Sequence, residues 1–409
     1  MPVQEVPSLL KLFTPDLAAD PYPFYRELRE NHPVHYDKWM RSWVILGYEE
    51  ISSLSKDDRL SGARIESFHE SLPADARAEL KPLKDALADM MVFHEPPRHT
   101  RLRHLIRPGL TPRFIREMRP VIEGLTDELL DKVVDQGRMD VIHDFSEPLT
   151  RGVIGRLAGV PQHAEHLLGN WQGLLLEFFA QSRKEIPRVT QLRAAFDEGA
   201  SARRDGTGTD FFTQMIAEQL QQGDFTEDEV FANFLLLIDA GQATTTHLIG
   251  NAVLALLRQP DQLELLRSQP ELATKAAHEL LRYDSSVQFT TRVALVDLEV
   301  RGHRIAAGES VTLVLGSGNH DPLKYENPDR VDITRGSADH LSFGHGIHYC
   351  LGASLAVAEV EIALSRLLAR TRDLRLAEPG PTWQDSINFR FLKNLSVTFA
   401  PATAASSRT

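Results

Sequence analysis

One ten-residue stretch constrains this chain more than any other: Phe343-Gly344-His345-Gly346-Ile347-His348-Tyr349-Cys350-Leu351-Gly352. It carries the single cysteine of a 409-residue sequence. Two glycines allow tight backbone turns close to a flat cofactor. Cys350 then stands at the start of a helix expected from about Leu351 to Arg370, where the helix dipole favours a thiolate. A zinc site built from His345, His348 and Cys350 is the competing metal reading, but it supplies too few ligands and leaves the glycines unexplained. One cysteine cannot close an internal disulfide, which fits a reducing cytoplasm.

A long helical pattern is the second constraint. Apolar residues recur three and four apart through Val121–Val134, Val230–Leu257 and Leu263–Tyr283. Glu227 to Leu257 reads as one helix of about 45 Å. Phe234–Ile238 makes its middle apolar on most sides, so that middle belongs in a core. Asp239 ends the apolar run far short of the roughly 18 residues a membrane span requires. Gly241 and the run Thr244–Thr246 interrupt good helix formers at this buried point. They carry a cost in helix stability, which points to function. A Ser/Thr-rich kink is the plain structural alternative.

The loop and the helix together resemble the cytochrome P450 family. The loop meets every fixed position of the family's Phe-Gly-x-Gly-x-His-x-Cys-x-Gly. The resemblance implies haem b (iron protoporphyrin IX) as cofactor, with Cys350 as axial ligand of the iron. It also implies that Phe343 packs against that ligand, that Gly344 and Gly352 shape the cofactor loop, and that His348 meets a propionate. A thiolate in this position pushes electron density onto haem iron and favours O–O cleavage. Ala240-Gly241-Gln242-Ala243-Thr244-Thr245 resembles the motif on the family's distal haem face. Ala240 and Gly241 leave room for dioxygen. Thr244 matches the oxygen-activating threonine, whose hydroxyl both donates and accepts. Ala243 departs from the pattern, since the family usually has an acid there. Asp239, one helical turn earlier on the same face, is the expected substitute, beside ordered water or a substrate hydroxyl. An ion-paired or solvated side chain is the ordinary reading of Asp239.

Further matches follow in order. His99 and Arg103, after Pro96-Pro97, fit the family's His-x-x-x-Arg for haem propionates, and Arg292 fits a third propionate ligand. Buried carboxylates need charged donors, and Arg supplies a rigid fork. Glu279-Leu280-Leu281-Arg282 matches Glu-x-x-Arg, an ion pair on one helix face. Arg330, in Asn327-Pro328-Asp329-Arg330, is the expected third partner. By analogy the pocket walls come from Arg64–Phe93, Leu167–Pro187, Leu236–Thr244, Val287–Phe289 and Asn388–Phe391. Leu236, Ala240, Val287, Phe289 and Phe391 make that pocket apolar, as small-molecule sites are. Arg101, Arg103, His104, Arg107, Arg113, Arg116 and Arg119 form a basic run. The resemblance sets it beside the face where an acidic ferredoxin docks, with a solvated face as the alternative.

The implied fold is mainly α, an α+β architecture of the P450 type with haem buried between two long helices. A single domain spans 1–409, β-rich at roughly 30–60, 285–335 and 380–400 and helix-rich at roughly 95–283 and 350–370. Locally, Pro21–Asn31 reads as a helix capped by Asp20, and Val34–Tyr36 with Trp43–Leu46 as a hairpin. Ser61–Met91, with Gly62, Pro73 and Pro82, reads as irregular. Val293–Val300, His303–Ile305, Val311–Leu315 and Leu395–Phe399 read as strands, and the polar tail Ala402–Thr409 as disordered.

Charge excludes other classes. Lys and Arg total 45 against 57 acids, a net −12, the reverse of a nucleic-acid binder. The N-terminus lacks a basic start and a long apolar run, so a cytoplasmic protein without a secretory signal is expected. The resemblance implies a monooxygenase that hydroxylates or epoxidises a small apolar organic substrate with dioxygen, in polyketide, macrolide or terpene tailoring. Electrons would come from a ferredoxin and its NAD(P)H-dependent reductase, because neither a flavin domain nor an iron–sulfur cysteine set is present. A peroxygenase, dehydrogenase or oxidative coupling enzyme is the alternative, made more conceivable by Ala243. A haem sensor without turnover is the reading from another class.

Overall fold

The computed structural model describes residues 6–159, 166–168, 174–203, 211–335 and 337–402. The tail beyond Ala402 and part of the expected wall Leu167–Pro187 therefore lie outside the described residues.

Helices follow the apolar periodicities. Tyr22–Asn31 starts directly after Pro21, whose fixed φ suits a first turn. Pro21 takes the cap position expected for Asp20, whose carboxylate still accepts the Tyr22 N–H at 3.3 Å. The long helix runs Glu227–Arg258 and opens with a capping box: Thr226 Oγ1 accepts the Glu229 N–H at 3.1 Å, and Glu229 accepts the Thr226 N–H at 3.2 Å. Its apolar middle is buried, as Phe234, Leu235 and Ile238 require. It packs on Glu147–Ala158 and on the last helix, Ala353–Arg370, which in turn packs on Pro112–Val133 and Ala273–Tyr283. No helix among the described residues is long and apolar enough to cross a membrane.

The main sheet draws on both ends of the chain. β1 (Val34–Asp37) and β2 (Ser42–Ile45) form the expected hairpin. β3 (Leu60–Ser61), β4 (Thr290–Ala294) and β5 (Ser310–Leu313) complete the order β1-β2-β5-β4-β3. The β2–β5 pair is parallel and the others antiparallel. A separate sheet ties Ser396–Pro401 to Arg138–Asp140 and Thr371–Leu376.

Two local expectations are corrected. Ser61–Met91 is not irregular: it holds the helices Ile65–Ser71 and Ala74–Ala88, the second with Pro82 inside it. Leu80, Leu83 and Leu87 are fully buried at helical spacing, so packing outweighs the penalty of an internal proline. Val293–Val300 is not one strand. The chain leaves the sheet at exposed Leu295 and Val296 and resumes as a hairpin, Leu298–Val300 with His303–Ile305. Arg301 and Gly302 between them both have positive φ (47° and 78°), as a tight two-residue hairpin turn demands.

Candidate functional site

The cysteine loop is built by backbone geometry before chemistry. Gly344 (φ 65°, ψ −175°) occupies a conformation closed to other residues. Gly346 has φ 74°, and a Cβ there would strike the backbone at Ser55 and Lys56. The loop closes when the Cys350 N–H donates to the Phe343 carbonyl at 2.9 Å. Cys350 precedes the last helix by three residues, since that helix starts at Ala353 and not Leu351. The expected dipole effect on the thiol is outweighed. Burial pushes the Cys350 thiol up, against the opposing pull of the Gly352 N–H and the Arg103 charge. His345 turns away to Ser52 Oγ (3.0 Å), so it does not join His348 and Cys350. No group of three or more His, Cys, Asp or Glu converges as a metal site among the described residues, which removes the zinc reading.

Cationic and imidazole groups gather on one side of this loop. His99, on the helix Arg98–Ile106, is buried and its Nε2 has no hydrogen-bond partner. Its ring meets that of His348 edge-on at 4.7 Å, and both His348 nitrogens are also without hydrogen bonds. Burial, with His348 and Arg103 nearby, holds His99 down at about 4, so it is neutral at pH 7. Arg103 donates to the carbonyls of Ile347 (3.1 Å) and Tyr349 (2.9 Å), bracing the loop. Arg292 donates to Thr290 Oγ1 at 2.7 Å, and Arg64 donates to the Thr291 carbonyl at 2.7 Å. Burial and the neighbouring Arg292 charge lower Arg64 to about 10. Among the described residues neither arginine has a carboxylate partner in an ion pair.

Two half-buried guanidiniums facing like charge, beside the neutral His99 imidazole, are an electrostatic cost in themselves, and Glu95, 3.7 Å from His348 Nε2, offsets part of it. An acidic group seated among them removes that cost. The two carboxylates of haem suit the set, and a cysteine sulfur suits its iron. Arg64 had been placed only in a stretch of pocket wall. No motif identifies it, and its role emerges from the pairing of Leu60–Ser61 with Thr290–Ala294.

The long helix packs on the last helix, which follows the cysteine loop. Ala240 is exposed and Gly241 and Thr244 are half-buried, although Leu236, Gln242, Ala243 and Thr245 around them are buried. A Cβ on Gly241 would collide with Ile154. Thr244 Oγ1 donates to the Ala240 carbonyl at 2.6 Å. Asp239 does not meet Thr244. Its Oδ1 accepts the N–H of Leu174, the first residue of the helix Leu174–Phe179, at 2.7 Å. Burial raises Asp239 to about 7. Asp239 and Thr244, five residues apart on the helix, thus point in different directions and bond different partners.

Phe391 stacks on His247 of the same helix (4.1 Å between rings), and Val287 is half-buried opposite Phe389. Phe289, expected on the pocket wall, instead packs into the N-terminal core with Leu9, Tyr25 and Leu28. The alternation of an extended chain sends Phe289 inward and its neighbours elsewhere.

Glu279 and Arg282 form a fully buried bidentate pair at 2.7 and 2.8 Å. Arg330 is not its third member. The Arg330 side chain is exposed and bonds Asp261 at 2.7 Å, and only its carbonyl reaches Arg282. Arg335 takes the place, donating to Glu279 Oε2 at 3.1 Å. Asn327, at φ 47°, turns the chain so that the Arg330 carbonyl faces inward and its side chain outward.

The basic run is partly neutralised. Arg101 pairs with Glu229, Arg113 with Glu117 and Arg119 with Glu361. Arg107 and Arg116 remain exposed, and so are Ile347 and Tyr349, at 43% and 42%.

Comparison with known proteins gives the family. The family model described as Cytochrome P450 matches residues 171–373. The "Biotin biosynthesis cytochrome P450" of Bacillus subtilis (strain 168) is 38% identical over 94% of this chain and 97% of its own length. The "Polyketide biosynthesis cytochrome P450 PksS" of the same organism is 31% identical, over 93% and 96%. The crystal structure of P450BioI with a hexadec-9Z-enoic acid-ligated acyl carrier protein superposes with a TM-score of 0.85 at 38% identity, covering 94% of this chain and 100% of that one.

Proposed function

The chain belongs to the cytochrome P450 family and is a haem-iron monooxygenase of secondary metabolism, and from that premise we propose how its residues divide the work. Cys350 is the residue that would hold the iron, and His99, Arg103, Arg292, His348 and Arg64 would hold the propionates of haem b. The half-buried like-charged pair Arg64 and Arg292, with no carboxylate in an ion pair among the described residues, is the single observation that carries this assignment. Haem bound there activates dioxygen for insertion of one oxygen atom into a C–H or C=C bond.

The protein's own task is to position, exclude water and move protons. Ala240 keeps bulk off the distal face, while Gly241 lets the helix pack closely on Ile154. Thr244 gives its proton to the Ala240 carbonyl and leaves its lone pairs open to a donor. Ala243 supplies no proton and Asp239 is engaged by Leu174, so the donor is solvent or a hydroxyl of the substrate. Leu236, Ala240, Val287 and Phe391 make the pocket wall. Relatives named for biotin and polyketide biosynthesis, and one holding a carrier-bound fatty acyl chain, support an extended apolar acyl or polyketide substrate.

Exposed Ile347, Tyr349, Arg107 and Arg116 support docking of an acidic ferredoxin over the cysteine loop, with an NAD(P)H-dependent reductase upstream. A cytoplasmic location fits the one unpaired cysteine. A peroxide-driven reaction is the second reading, favoured by Ala243 in place of an acid.

The reduced protein under carbon monoxide gives the test. Wild type is expected to show the red-shifted Soret band of a thiolate ligand, and Cys350→Ser to lose it; retention of that band in the variant overturns the assignment. Comparing turnover driven by ferredoxin and NAD(P)H with turnover driven by peroxide separates the two reactions.

A further inference from the structure

The two segments that carry the pocket wall, 284–289 and 388–391, are fastened to each other and to the long helix through one buried hub. Arg390 Nε donates to Asp284 Oδ1 at 2.5 Å and its Nη2 to Oδ2 at 3.2 Å, with both side chains about 5% exposed. Tyr22 Oη donates to the same Asp284 Oδ1 at 2.6 Å. Arg390 reaches the carbonyls of Ala18 (2.8 Å) and Ala19 (3.4 Å), and its guanidinium lies 3.9 Å over the Trp383 ring. Asn251 of the long helix, two turns beyond Thr244, donates from Nδ2 to the Asp284 carbonyl (3.3 Å) and the Arg390 carbonyl (3.1 Å). The backbones then pair, with Arg390 N–H on Ser286 O (2.9 Å) and Gln288 N–H on Asn388 O (2.8 Å).

What lies behind the wall decides how much this hub matters. Side chains in a close-packed interior are held by their neighbours. Phe389 and Arg390 border a small cleft of about 20 Å³, lined also by Leu12, Tyr25, Trp383 and Ile387. The segment 388–391 is held on that side by the buried Arg390–Asp284 pair. Its place is set by charged and hydrogen-bonded contacts, which have sharper directional minima than apolar packing. Phe391, on the far side of Arg390, faces His247, and Phe389 pairs with Val287. A displacement of Arg390 moves Phe389 and Phe391 together, and with them the distance from the wall to Thr244.

We propose that Asp284 and Arg390 are positioning residues that determine substrate specificity, by fixing the Val287 and Phe389–Phe391 wall against the long helix at Asn251. This rests on the reading of the site as an apolar monooxygenase pocket. It adds that a buried ion pair remote from substrate selects which carbon of the substrate is presented.

The experiment uses the haem-loaded full chain with lauric, myristic and palmitic acid as probes, scored by the spin-state shift on binding and by the positions hydroxylated. Asp284→Asn with Arg390→Gln keeps hydrogen-bonding groups and removes the buried charges together. Tyr22→Phe removes one hydrogen bond to Asp284 and is the milder variant. Expected are an intact carbon monoxide spectrum, a change of about tenfold in relative affinity among the three acids for the double variant, and a redistribution of hydroxylated positions in both variants. Unchanged chain-length preference and unchanged positions with intact haem ligation overturn the proposal. If the double variant fails to load haem, Tyr22→Phe decides alone, and an unaltered product pattern there overturns it. Absence of a spin-state shift in wild type with all three acids would instead count against an acyl-binding pocket, and azole ligands of graded size then replace the acids as probes of the wall.

Discussion

The carboxylate of Asp239 accepts the backbone N–H of Leu174 at 2.7 Å, joining the long helix to a segment 65 residues earlier and leaving Thr244 to bond its own helix. Burial raises Asp239 to about 7, so the folded protein prefers it protonated. The unfolded chain releases that proton near pH 4. Between about pH 4 and 7 the folded state therefore binds more protons than the unfolded one, and this group's contribution to stability falls as pH rises. Asp239→Asn is expected to remove that slope, on the order of 1–2 kcal/mol across the window. Urea unfolding of both proteins at pH 5 and pH 8 measures it. A slope that survives in the variant assigns the pH dependence elsewhere.

Arg64 and Arg292 make a prediction of opposite sign for the two forms of the protein. Arg64→Met relieves repulsion between buried like charges when haem is absent, so the apoprotein is expected to melt higher by a few degrees. The same change removes a donor from the propionate cradle, so haem is retained about tenfold less tightly. Thermal melts of the apoprotein and haem transfer to apomyoglobin read the two effects. Equal haem retention would remove Arg64 from the cradle.

Arg335 and Arg330 separate a buried network from a surface pair. Arg335→Ala takes a donor from Glu279, whose carboxylate is 1% exposed, and is expected to cost about 2–4 kcal/mol. Arg330→Ala loses an exposed pair with Asp261 and is expected to cost less than about 1 kcal/mol. Denaturation midpoints of the two holoproteins decide the order, and the reverse order contradicts the geometry.

Thr244→Ala tests proton delivery. The variant is expected to bind ligands as wild type does, because the hydroxyl bonds only the Ala240 carbonyl. Product formed per NAD(P)H consumed is expected to fall several-fold, with peroxide appearing in its place. Coupling that matches wild type would show that the proton passes without this hydroxyl.

Much of the site was legible from local pattern. The cysteine loop is read from sequence because its function is carried by backbone conformation: Gly344 and Gly346 hold positive φ, and the Cys350 N–H closes on Phe343 only seven residues away. The long helix was legible for a similar reason, since its capping box and apolar middle are contiguous. Pro82 misled, because a local penalty was outweighed by the burial of Leu80, Leu83 and Leu87. Arg330 misled because Arg330 and Arg335, five residues apart, were indistinguishable by spacing, and the fold turned the Arg330 carbonyl and the Arg335 side chain to the buried pair.

Sequence by itself determined what depends on neighbours along the chain: the cysteine loop, the long helix, and the pairing of Glu279 with Arg282 one turn later. Tertiary structure alone decided what depends on residues brought from far apart: Arg64 beside Arg292, Arg335 on Glu279, Asp239 on Leu174, and Arg390 on Asp284. Local conformation is fixed by sterics within a few bonds, whereas charge in a low-dielectric interior is settled by whichever partner the fold delivers.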